Sequence, residues 1–175
     1  MTNDDPALLA EEGKSAFRNG QFDRAADFFR RASEGYTLGR AGLLAAEMQN
    51  NLSVALLQAG KPRESLDAVF GTDQVFAGAD DLKRHGMALG NQAAALEALQ
   101  RTDEALAAYE RSAEILAQAK EGEMLAMVKK SAAALRLKRG EFSASALHML
   151  GSIEAKEKPS FFERILKALM RLKPW

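Results

Sequence analysis

The chain has 175 residues, of which 47% are hydrophobic, and its 24 basic and 24 acidic side chains cancel. Neutral net charge gives no long-range pull toward nucleic acid, and the absence of cysteine excludes disulfides and thiolate metal sites. No run reaches the roughly 18 apolar residues that suggest a membrane span, and the acidic start Met1-Thr2-Asn3-Asp4-Asp5-Pro6 does not read as a signal peptide. These features predict a cytoplasmic protein.

Apolar residues recur at helical spacing throughout, and no window alternates for long enough to predict a strand. A first helix over about 5–19 carries Leu8, Leu9, Ala16 and Phe17, and Gly20 ends it as a C-terminal cap. A second, over about 22–34, carries Phe22, Ala25, Ala26, Phe28, Phe29 and Ala32. In the second pair one helix ends near Ala59, and the next starts at Pro62, a good first-turn residue. The third pair covers about 80–119 and the fourth about 121–156, with one extra residue expected around the fourth turn. Gly20, Gly60, Gln100 and Gly140 mark the turns within the pairs and are evenly spaced along the chain. A fixed period of this size, about 40 residues, predicts a helical repeat array. Residues 159–173 break the period: Pro159 and Ser160 start a helix, and Ser160 with Glu163 forms a capping box.

These residues resemble the tetratricopeptide repeat family. In the first repeat the likeness rests on Gly13, Gly20, Phe22, Ala25, Phe29 and Ala32. In the second it rests on Leu52, Ser53, Leu56, Gly60, Ser65 and Leu66, and in the third on Leu89, Ala93, Leu96, Ala105, Leu106 and Tyr109. The fourth fits in two registers, Val128, Ala132 and Leu135 in one, and Gly140, Phe142, Ser145 and Met149 in the other. Small residues belong at such positions because antiparallel helices approach closely only where side chains are small. The family's usual period is about 34 residues, so the longer period here resembles its longer-helix subclass; HEAT repeats, at about 40–47, lack the Gly-x-Phe turn. The resemblance implies an all-α tetratricopeptide-type α-solenoid: four antiparallel helix pairs in a right-handed superhelix, plus a C-terminal amphipathic helix. The repeat domain is expected over 1–156, with repeats at about 5–36, 37–78, 79–119 and 120–156, and the terminal helix over 157–175.

The resemblance further implies that the first helix of each pair lines a concave groove for a peptide or partner helix. Asn51 and Asn91 stand at matching places on successive inner helices. In the longer-helix subclass such asparagines hold a peptide main chain, and a carboxamide has the donors and acceptor for that task; solvated side chains, or bonds to a neighbouring helix, are the alternative. Met87 and Met127 also match, as an adaptable apolar contact surface or as core. Lys130 and Lys138, two helical turns apart on the basic fourth inner helix, favour an acidic partner or form a solvated face. The carboxylate clamp of chaperone-binding members is matched only at Asn51: Lys14, Ala10, Met87 and Asn91 replace four of its other residues.

On the terminal segment Phe161, Phe162, Ile165, Leu166 and Leu169 share one face, opposite Arg164, Lys167 and Arg171. Such a helix caps the open end of the array, lies on an acidic membrane surface, or docks a second copy. His85 and His148 have no metal-ligand spacing, and no phosphate loop, HExxH or nucleophile elbow occurs. The sequence therefore predicts a protein-interaction module rather than an enzyme, with no metal or cofactor and no nucleic-acid partner. The alternative is a self-assembling or membrane-peripheral scaffold acting through the terminal helix.

Overall fold

The structure, a computed structural model, describes residues 5–140. The expected second helix of repeat four and the terminal helix, with Phe161, Phe162, Ile165, Leu166, Leu169 and His148, lie outside the described residues. All regular structure among the described residues is helical: α1 (Pro6–Arg18), α2 (Phe22–Leu38), α3 (Gly42–Gln58), α4 (Pro62–Val69), α5 (Thr72–Gly78), α6 (Leu82–Ala98), α7 (Thr102–Gln118) and α8 (Gly122–Lys138). The chain divides into two compact units, Met1–Leu135 and Arg136–Trp175. The described part of the second unit is the last turn of α8 and its link to Gly140, where φ is 78°.

The helix ends follow one rule. Left-handed backbone occurs at Gly20, Arg40, Gly60, Asp80, Gln100, Lys120 and Gly140, so the turn recurs at one constant interval, twice per helix pair. At the first turn Gly20 N–H donates to Phe17 O at 3.0 Å and Gln21 N–H to Ala16 O at 2.9 Å. This Schellman pattern satisfies carbonyls that the helix end would leave orphaned. The same pair of bonds recurs around Arg40, Gly60, Asp80, Gln100 and Lys120. From Gly20 to Lys120 the residue after each of these positions then opens the next helix: Gln21 O accepts from Ala25 N–H and Ala41 O from Ala45 N–H.

Two helices depart from the sequence expectation. α2 continues to Leu38 because Gly35 is not a cap: a Cβ there would lie 2.4 Å from Pro6 Cγ, so the glycine makes room for the proline ring. The second helix of the second pair is broken into α4 and α5 at Phe70-Gly71, where Gly71 has φ 79°. Thr72 Oγ1 donates to Val69 O at 2.8 Å across the break. The break redirects the chain so that Phe76 is fully buried with Ala46 of α3 and Ala88 of α6.

Helices adjacent along the chain pack together, α1 on α2, α2 on α3, α3 on α4 and α5, these on α6, and α6 on α7, and α3 also meets α6 directly. This is the packing of an α-solenoid-like helical repeat. One core joins α1, α2 and α3 through Leu9, Phe29, Met48 and Leu56; another joins α6, α7 and α8 through Leu96, Tyr109 and Leu135. Close crossings need small residues. A Cβ at Gly13 would sit 2.7 Å from the Phe29 ring, and one at Gly86 would sit 2.7 Å from Leu116 Cγ. Buried hydroxyls there find partners: Ser65 Oγ donates to Ser53 O at 2.8 Å, and Ser112 Oγ donates to Gly86 O at 2.7 Å.

Candidate groove along the inner helices

The helices α1, α3 and α6 each begin a pair, α8 follows them in the same order, and the gaps between successive members of these four form three clefts. Lys14, Phe17, Arg18 and Phe29 line the first with Glu47, Asn51 and Val54, enclosing about 340 Å³ between α1 and α3. Between α3 and α6 lies a cleft of about 600 Å³, lined again by Glu47, Asn51 and Val54, and by Arg84, Met87 and Asn91. A third, of about 350 Å³ between α6 and α8, shares Met87 and Asn91 with the second. The shared residues make the three one continuous surface.

The middle cleft brings Asn51 and Asn91 together, both half-buried. Asn91 Nδ2 donates to Asn50 Oδ1 at 3.2 Å, joining α6 to α3. That bond orients the Asn91 carboxamide and employs one of its two N–H groups. Asn50 itself is buried. The sequence pattern did not single it out, because its neighbour Asn51 carried the periodic match with Asn91.

Charge in this cleft is paired internally. Arg84 bridges the two walls: its Nε donates to Asp81 Oδ2 at 2.6 Å and its Nη1 to Glu47 Oε2 at 3.0 Å. Its guanidinium also sits over the Phe76 ring, 5.4 Å from the centroid. Asp81 caps α6 by accepting from Arg84 N–H at 2.9 Å. That backbone bond, aided by the Arg84 side chain, holds the Asp81 carboxyl below its ordinary value against the opposing effect of burial. Lys83 Nζ pairs with Glu121 Oε1 at 3.0 Å, tying α6 to the residue before α8. Spacing alone did not reveal this lattice, since its members come from α3, α6 and the turn before α8.

The third cleft is apolar. Met87 and Met127 line it and are 39% and 65% exposed, so they are surface and not core. Met124, one turn before Met127 on α8, joins them; its helical spacing from Met127 was readable and was missed. Tyr109 closes the floor, its hydroxyl donating to Glu97 Oε2 at 2.9 Å. Burial first, and then the Glu97 carboxylate, push its ionisation well above the ordinary 10.0.

Lys130 is exposed on α8 and is not among the side chains lining these clefts. Lys138 is exposed in the last turn of α8, within the second compact unit. Lys14, in the first cleft, pairs with Glu11 at 2.8 Å. No helix among the described residues is long and apolar enough to cross a membrane. No protein-family model matches the chain, and no curated protein matches it.

Proposed function

We infer that the chain is a tetratricopeptide-type interaction module that binds another protein by gripping an extended segment along the surface of α1, α3, α6 and α8. The observation that carries this reading is the pair Asn51 and Asn91: one repeat apart in sequence, they line one cleft on successive inner helices. Asn51 makes no side-chain hydrogen bond among the described residues, and Asn91 commits one N–H to Asn50. Such carboxamides can offer both a donor and an acceptor to a peptide main chain. Main-chain bonds give affinity, and pockets for alternate side chains give selectivity. The cleft has no convergent acid–base or nucleophilic group set apart from its ion pairs, so the reading is of a binder and not of an enzyme.

The test is a titration of peptides, selected on the wild-type chain from a random-peptide phage library, against wild type and Asn51→Ala/Asn91→Ala. The double variant should lose binding while its melting temperature falls by no more than about 5 °C, as expected from one neutral hydrogen bond. Unchanged affinity in a folded double variant would refute the asparagine grip. The scaffold alternative predicts instead that removing residues 157–175 abolishes self-association or liposome binding.

A further inference from the structure

The two clefts that meet at Asn91 differ in chemistry. Glu47, Asp81, Lys83 and Arg84 line the one between α3 and α6, whereas no charged side chain lines the one between α6 and α8. Its walls are Met87 from α6 and Met124, Met127 and Val128 from α8. Met87 and Met127 stay 39% and 65% exposed although each would gain from leaving water. Methionine suits an adaptable contact, being unbranched and polarizable. The enclosed volume of about 350 Å³ lies at the small end for ligand pockets and suits one large side chain rather than a helix.

Geometry links this cleft to the chain that Asn91 would hold, because Asn91 and Met87 line both spaces. In an extended peptide successive side chains point to opposite faces. A main chain held at Asn91 therefore directs one of two adjacent side chains toward the groove floor. Resting on the peptide-groove reading, we propose that the α6–α8 cleft takes a large uncharged apolar side chain of the bound peptide, from the residue gripped by Asn91 or its immediate neighbour. A charged side chain there would lose its hydration without a charged partner in the cleft.

Peptides enriched from a random-peptide phage library on the full chain provide the probe, with affinities read by fluorescence polarisation. The enriched peptides should share one large apolar residue, and changing it to Ala should weaken binding about tenfold or more, the effect of burying one such side chain. Met87→Gln/Met127→Gln, which alters exposed positions and keeps good helix formers, should weaken the parent peptide similarly. The same variant should no longer discriminate the parent from its Ala analogue, since two changes to one contact are not additive. Ala94→Phe, at a half-buried lining position, should block the cleft and also remove that discrimination. Peptides that need Asn51 and Asn91 but bind the methionine variant as tightly as wild type would overturn the apolar anchor and leave the groove reading standing. Peptides indifferent to both pairs would overturn both, and enriched peptides with a charged residue at the shared position would overturn the anchor's chemistry.

Discussion

Asn91 and Asn50 bind each other across the seam between α6 and α3, amide nitrogen to amide oxygen at 3.2 Å. The contact ties Asn91 into the packing of two helices while it also lines the cleft, whereas Asn51, half-buried in the same cleft, lines it without such a contact. Stability should separate the two. Asn50→Ala and Asn91→Ala should each destabilise, and in a double-mutant cycle they should couple by about 0.5–1.5 kcal/mol. Asn51→Ala should stay within about 0.5 kcal/mol of wild type. Urea unfolding followed by circular dichroism gives all four values.

The left-handed residues offer a second test. Gln100 occupies, at φ 60°, the place that Gly20, Gly60 and Gly140 hold in the other pairs. A side chain in that conformation costs about 1–2 kcal/mol, and glycine does not carry this penalty. Gln100→Gly should therefore stabilise by up to about 1 kcal/mol, and Gly60→Ala should destabilise by about as much. A Gln100→Gly protein that melts lower than wild type would show that the link is held by its side chain.

Two other glycines should respond in opposite directions. A Cβ at Gly13 would strike the Phe29 ring inside the first core, so Gly13→Ala should cost about 1–3 kcal/mol by overpacking. Nothing lies within 4 Å of a Cβ at Gly42, so Gly42→Ala should be neutral or stabilising by up to about 1 kcal/mol. Thermal melts of the two variants side by side decide the matter.

Asp81 carries a pH dependence whose sign is fixed. Its carboxyl titrates below the ordinary value of 3.8, chiefly because it accepts the Arg84 N–H. Its contribution is complete above the unfolded-state value and is lost as pH falls through the lower folded-state one. Asp81→Ala should destabilise by about 1 kcal/mol at neutral pH. The gap between variant and wild type should close as the pH drops below 3.8. A gap that persists unchanged at pH 2 would mean that the charge is irrelevant.

The buried hydroxyl pair between α3 and α4 behaves as a unit. Ser53 and Ser65 oxygens lie 2.9 Å apart, and Ser65 also donates to the Ser53 carbonyl. Ser65→Ala leaves both without that partner and should cost about 1–3 kcal/mol, and adding Ser53→Ala should cost much less than a second such step. Chemical denaturation of the two single variants and the double variant measures the difference.

The sequence exposed the coarse architecture where the chain repeats itself in chemistry. The first two helix pairs were legible from Gly20 and Gly60, and the packing role of Gly13 from the small-residue pattern that the family resemblance supplied. The finer period stayed hidden because Arg40, Asp80 and Lys120 adopt the left-handed turn without being glycine. The break at Gly71 was hidden for the opposite reason: a glycine was visible, but only burial of Phe76 between α3 and α6 shows why the helix turns there. In the groove, Asn51, Asn91, Met87 and Met127 were readable as matched pairs. Asn50 and the Arg84 bridges were not, because no periodic match marks contacts that occur at a single seam.

One connector geometry closes the turns from Gly20 to Lys120, and helical stretches of equal length fill the intervals from α2 to α8 even where one is broken, so the described backbone is written in units of one length. Excising or duplicating one whole pair, between two equivalent left-handed positions, leaves each remaining helix on its original side and requires no newly invented joint. Removing or adding a single interval, as from Gly20 to Arg40, would exchange the first helix of each pair for the second downstream of the edit. Growth by whole pairs is thus the conservative route for lengthening such an array.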